Sequence, residues 1–195
     1  MTLQLFDTAA VTATPWRNGG GTTRALACFP AGATMDSFAW RVSIADIRAD
    51  GPFSAFPGID RIITLLEGDG VRLCSDDGRI DHRLDTVLAP FAFPGEADIH
   101  AALIGGDTRD FNVMTRRQDW RAEVDILRTA SNLPASDGGL LYVSRGSWTV
   151  DGAHELATGQ GGYWTTAAGP MALAPAGPQA ALIAVRLSRR AGAPA

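Results

Sequence analysis

FAWRVSIAD, residues 38–46, alternates large apolar side chains with small or polar ones. Phe38, Trp40, Val42 and Ile44 point one way, and Ala39, Arg41, Ser43 and Ala45 the other, which is the period of a β-strand. Outward from it, the same rhythm recurs in TTRALACF (22–29), RIITLLEG (61–68), VRLCS (71–75), DIHAALI (98–104), DFNVMTR (110–116) and AEVDIL (122–127). It returns in LLYVSRG (140–146), SWTV (147–150), MALAP (171–175) and AALIAVRL (180–187), with GD, DDG, PG, GG, DG and GP turn signals between the runs. Only Thr115 to Arg121 carries a weak helical pattern. The chain is therefore all-β.

Composition agrees. Among 195 residues, 22 glycines and 11 prolines favour many turns and short strands over long helices. A hydrophobic fraction of 46% supplies a core for one large domain or two small ones. With a net charge of −4 there is no basic footprint for a row of phosphates, so nucleic acid is not expected as a partner. No window approaches the ~18 apolar residues of a membrane span, and MTLQLFDTAAVTATPW lacks the basic and apolar regions of a secretory leader. Cys28 and Cys74, far apart among apolar residues, read as free thiols of a reducing compartment, although a disulfide needs only suitable geometry. A cytoplasmic protein without a membrane partner is the expectation. All 17 basic residues are arginine, which excludes Schiff-base and general-base chemistry by lysine.

The chain echoes itself. LLEGDGVRL, then HRLDTVLAPFAFPG, then DIHAALI parallels SRGSWTV, then HELATGQGGYWTTAAG, then AALIAVRL; Gly68 aligns with Gly146 and His82 with His154. Each copy reads as a small barrel or jelly roll, and two in tandem make a bicupin-like architecture, with a single large sandwich as the alternative. The strand rhythm breaks at TASNLPASDGG (129–139). Residues 1–121 are expected to form an N-terminal barrel, and 122–195 a C-terminal half ending in a short flexible tail.

Metal-dependent barrels need three or four converging His and carboxylate ligands. His82, His100 and His154 are the only histidines, no HxH or HxxxH pair occurs, and only His100 stands in a PG-x4-H setting. No metal and no cofactor is expected. GxSxG is missing, neither thiol adjoins an activating base, and GGG at 19–21 is neither GxGxxG nor a P-loop, so no catalytic residue is assigned.

A polar set remains. Arg41 and Ser43 share one strand face, as do Asp110, Asn112 and Met114 on another strand. If both strands line one barrel, guanidinium, hydroxyl, carboxylate and amide converge to hold a small carboxylate, or Arg41 and Asp110 form a structural ion pair. WRNGGGTT (16–23) forms a tight corner or offers backbone amides to an anion. GPFSAFPGIDR (51–61) is a rigid lid or a plug.

WRNGGGTT, FAWRVSIADI, GPFSAFPGIDR, LLEGDG and DFNVM, in this order and at this spacing across residues 16–114, resemble the HutD/Ves family. The resemblance implies two tandem cupin-like jelly-roll barrels, a bicupin, without the usual cupin metal ligands. It also implies bacterial histidine utilisation, modulated by binding a small anionic metabolite such as urocanate or N-formylglutamate and not by catalysing a step. Family positions fall on Trp16, Asn18, Arg41, Ser43, Ser54, Arg61, Asp110, Asn112 and Met114, the expected ligand-binding set, and Phe53 and Gly58 belong to the same pattern. The departures are Phe111 in place of a commoner leucine and the FPGE version of its turn. Two alternatives stay open: a metal-independent enzyme such as an isomerase of a small carboxylate, with His100 or Asp110 as base, and a non-enzymatic, stress-responsive module that forms a homodimer through exposed strand edges.

Overall fold

The computed structural model describes residues 2–192. The final residues of the expected flexible tail, 193–195, lie outside the described residues. In chain order the strands are β1 (Gln4–Asp7), β2 (Thr14–Pro15), β3 (Gly21–Phe29), β4 (Trp40–Ile47), β5 (Gly51–Pro52), β6 (Ile59–Glu67) and β7 (Val71–Ser75). Then come β8 (Asp81–Leu84), β9 (Pro90–Pro94), β10 (Ile99–Leu103), β11 (Thr108–Arg116), β12 (Trp120–Leu127) and β13 (Ser131–Leu133). β14 (Gly138–Arg145), β15 (Ser147–Val150), β16 (His154–Ala157), β17 (Gln160–Trp164), β18 (Met171–Pro175) and β19 (Ala181–Arg189) complete the set. The one helical turn among the described residues is a 3₁₀ segment at Thr8–Ala10, capped by the Asp7 carboxylate. Thr115 to Arg121, whose sequence carries a weak helical pattern, holds the end of β11, a turn and the start of β12. Local propensity there gives way to cross-strand pairing.

The chain folds as two units, Thr12–Gln118 and a second one made of Met1–Val11 with Asp119–Ala195. Residues 2–11 thus join the C-terminal half, because β1 pairs antiparallel with β17. TASNLPASDGG is not a boundary but contributes β13 to the second unit.

Each unit is a pair of antiparallel sheets. In Thr12–Gln118 the orders are β2-β3-β4-β11-β6-β9 and β5-β10-β7-β8; in the other unit they are β1-β17-β14-β19-β12 and β13-β18-β15-β16. Setting β4 against β12, β6 against β14 and β11 against β19 makes β4-β11-β6-β9 correspond to β12-β19-β14-β17, and the small sheets correspond strand for strand. Closed barrels were expected. The sheets instead keep free edges, because no ladder joins β2 or β9 to β5 or β8.

The sequence echo survives at residue level. His82 pairs with Leu73 as His154 pairs with Val150, and Gly68 and Gly146 both take positive φ, 93° and 74°, at the turns that lead into β7 and β15. At Gly68 a Cβ would lie 2.4 Å from the Asp107 carbonyl oxygen, so only glycine fits.

Apolar faces fill each unit between its sheets. Ile47, Ile63, Leu65, Val71, Leu73, Leu84, Phe93, Ile99 and Ala101 cluster in the first unit, and Leu141, Val143, Trp148, Leu156, Trp164, Leu173, Leu182 and Ala184 in the second. At about 25 cal/mol per Å², burial on this scale is the main source of stability. Both cysteines are free.

Candidate functional site

The unit Thr12–Gln118 holds a cavity of about 680 Å³. One wall is the large sheet. β4 contributes Arg41, Ser43, Ala45 and Ile47, and β11 contributes Asn112 and Met114. That is the polar face legible in FAWRVSIAD, and period-2 alternation is why these side chains emerge together. β3 adds Thr23 and Ala25, and β6 adds Arg61.

The hairpin between β2 and β3 makes a second wall. Gly19 donates its N–H to the Trp16 carbonyl (3.0 Å) and takes φ of 73°, closing the turn. Asn18 Oδ1 accepts from the Gly20 N–H (3.0 Å), and Trp16 Nε1 donates to Thr23 Oγ1 (2.7 Å), pinning the indole against the cavity. At Gly21 a Cβ would meet the Asp46 carbonyl oxygen at 2.3 Å and the Trp16 ring at 3.1 Å, so the glycine admits the indole. The amides of Gly19 and Gly20 are therefore engaged within the turn, and WRNGGGTT acts as a corner that presents Trp16, Arg17 and Asn18.

The segment 51–58 forms the third wall with Pro52, Phe53, Ser54 and Phe56. Its backbone is tied down by bonds from Phe53 N–H to the Ile99 carbonyl (2.8 Å) and from Phe56 N–H to the Gly95 carbonyl (2.7 Å). The two phenyl rings are half-exposed. They face the Arg61 guanidinium, whose carbon lies 5.2 Å from the Phe53 ring centre, 5.7 Å from that of Phe56 and 4.9 Å from that of Phe93.

Arg61 is 9% exposed and burial lowers its pKa to about 10, still far above neutrality. Its Nη1 reaches the Ser54 carbonyl at 3.4 Å and its Nε has no partner. Burial also lowers the Arg41 pKa, with the Cys28 thiol partly opposing, and Arg41 Nη1 donates to Ser43 Oγ (3.1 Å). Among the described residues neither guanidinium has a carboxylate partner, nor does that of Arg17. Nearby acids are taken: Asp46 by Arg24 (2.6 Å) and Arg109 (2.7 Å), and Asp60 and Glu96 by Arg117. Three guanidiniums line the cavity and no Asp or Glu does. Asn112 Oδ1 is also without a partner, on a side chain 8% exposed. Such a site favours an anion.

Of the expected set, Trp16, Asn18, Arg41, Ser43, Ser54, Arg61, Asn112 and Met114 line the cavity. Asp110 does not. It shares the strand face of Asn112, but its row partners are Ala45 and Leu65, and it is 0% exposed with both carboxylate oxygens unpartnered. Burial pushes its pKa up to about 7. The Arg41–Asp110 ion pair does not form, because Arg41 lies beside Met114, four residues along the ladder, roughly 13 Å away at 3.3 Å per residue.

Arg17, Thr23, Met35, Ile47 and Phe56 are among the lining residues outside the expected set. Arg17 lay inside a motif already singled out, and Thr23 alternates with Ala25, so both had a signal; Met35 had none. Among the described residues no group of three His, Cys, Asp or Glu side chains could hold a metal ion. His82 stacks on Phe91 at 3.7 Å, and His100 and His154 are exposed. No helix among the described residues is long and apolar enough to cross a membrane.

Comparison with known proteins gives a consistent result. The HutD family model matches residues 8–182. The protein Ves of Escherichia fergusonii is 42% identical over 163 residues, 83% of this chain and 83% of that one. The structure of HutD from Pseudomonas fluorescens SBW25 superposes with a TM-score of 0.84 at 27% identity, over 97% of this chain and 100% of that one. A cupin 2 conserved barrel domain protein from Leptotrichia buccalis shares the fold alone, with a TM-score of 0.59 at 8% identity over 96% of this chain and 98% of that one. The fold is all-β and cupin-like.

Proposed function

The chain belongs to the HutD family, and from that footing we propose that it binds a small organic anion in the cavity of its Thr12–Gln118 unit and thereby modulates histidine utilisation. The observation that carries this reading is the lining itself: Arg17, Arg41 and Arg61 without a carboxylate among them. A buried cation without a counter-charge is costly, and a bound carboxylate offsets that cost with charge-assisted bonds worth roughly 1.5–3 kcal/mol each. Urocanate and N-formylglutamate are the acids that family membership suggests.

Within this reading the two units are tandem copies of one cupin-like unit, a bicupin in which the N-terminal copy carries the site. The matching strand orders support this. Binding is favoured over isomerisation because Asp110, a base for the latter, lies outside the lining, as does His100.

Calorimetric titration with both acids tests the proposal. The parent protein should bind at least one of them, and Arg41→Ala should lose binding while its melting temperature falls only modestly. A parent that takes neither acid, nor any other small carboxylate, defeats it.

A further inference from the structure

The cross-strand row that carries Arg41 and Arg61 has a counterpart in the other unit, and the two differ in charge. In Thr12–Gln118 the row reads Arg41, Met114, Arg61, Phe93 across β4, β11, β6 and β9. In the second unit the equivalent row reads Glu123, Arg186, Gly139, Trp164 across β12, β19, β14 and β17. There the single guanidinium is matched within the chain: Arg186 is bonded to Glu123, and to Asp125 at 3.2 Å. The place of Arg61 is taken by Gly139, and the space above it by the Trp164 ring, 2.3 Å from where a Cβ would stand.

The first unit has the opposite arrangement. Two guanidiniums flank a neutral methionine, two strand spacings or about 10 Å apart at Cα, and both reach the same cavity. No side chain in the lining supplies what Glu123 and Asp125 supply to Arg186. The counter-charges must arrive with the ligand, and this row holds two separate cations to satisfy, the third lining guanidinium, Arg17, being on an exposed residue where water screens it. A single carboxylate engages one guanidinium with both its oxygens and leaves the other unmatched.

We infer that the ligand is a dicarboxylate whose two carboxylates, joined by a short linker, are held one by Arg41 and one by Arg61. This rests on the anion-binding reading above. The phenyl rings of Phe53 and Phe56 and the thioether of Met114 then lie beside the linker, and Ser43 and Asn112 serve any polar group it carries.

The test compares glutarate and succinate with monomethyl glutarate and butyrate, by calorimetric titration of the unaltered protein. Glutarate or succinate should bind about tenfold or more tighter than its singly charged counterpart. In Arg41→Gln and in Arg61→Gln, each checked for native circular dichroism, that preference should shrink to about twofold or less. Since the monomethyl ester removes one charge without touching the protein, a variant that fails to fold does not spoil the comparison. If monomethyl glutarate binds as tightly as glutarate, the dicarboxylate inference is wrong while anion binding stands. If no acid binds at all, the anion-binding reading falls, and this inference with it.

Discussion

Arg61 and Phe93 are direct cross-strand partners, and the guanidinium of the one lies 4.9 Å over the ring of the other. Phe93 also belongs to the apolar cluster between the two sheets, so one side chain supports both the core and the cation. This pair holds a charge at the cavity wall with little freedom, at the cost of burying it.

Phe93→Leu should remove the ring contact and part of the packing. The expected loss of stability is about 1–3 kcal/mol, and urea unfolding monitored by fluorescence measures it. A loss below about 0.5 kcal/mol would mean that the ring contributes neither to packing nor to the placement of Arg61.

Arg61→Gln should weaken binding of a small carboxylate by roughly 1.5–3 kcal/mol, the scale of one charge-assisted hydrogen bond. The oligomeric state, read by sedimentation, should not change. Unaltered affinity for every acid tested would make residues 51–61 a structural plug and take Arg61 off the site.

Asp110 gives a pH dependence of definite sign. Its carboxyl is raised from 3.8 to about 7 by burial, so the folded protein holds a proton that the unfolded chain has released. The stabilisation this proton gives is complete below about pH 4 and is lost as pH rises to about 7, an effect on the order of 4 kcal/mol. Asp110→Asn cannot ionise. Its stability relative to the parent should rise from about pH 4 to about pH 7 and then level off, as measured by denaturation at a series of pH values. A constant difference across that range would show that Asp110 has no raised pKa.

Gly139→Ala should destabilise the second unit by about 2 kcal/mol or more, because the new methyl meets both the Trp164 ring and, at 2.5 Å, the Val185 carbonyl oxygen. Thermal unfolding of the variant tests this. A neutral result would show that Trp164 can leave its place over Gly139 without loss.

Alternation in FAWRVSIAD and DFNVM was enough to say that Arg41 and Ser43 share a face, and that Asn112 and Met114 do, because a strand's side chains repeat every second residue whatever it pairs with. The same local rule, together with turn-forming glycines, made the all-β class and the internal echo legible, down to the equivalence of His82 and His154. Depth was not legible. Asp110 obeys the alternation that puts Asn112 on the cavity, and its row neighbour Ala45 lines the cavity too, yet Asp110 is fully buried beside Leu65, because period 2 assigns a face and says nothing of how far across the sheet the cavity reaches at each row. Strand pairing also had to come from the tertiary structure. Arg41, Met114 and Arg61 meet in one row only because β11, distant from both in the chain, lies between β4 and β6, in a register set by burial of their shared apolar faces. Sequence alone therefore determined which side chains could face together, and long-range pairing decided that Arg41 and Arg61, both unmatched, would share one cavity.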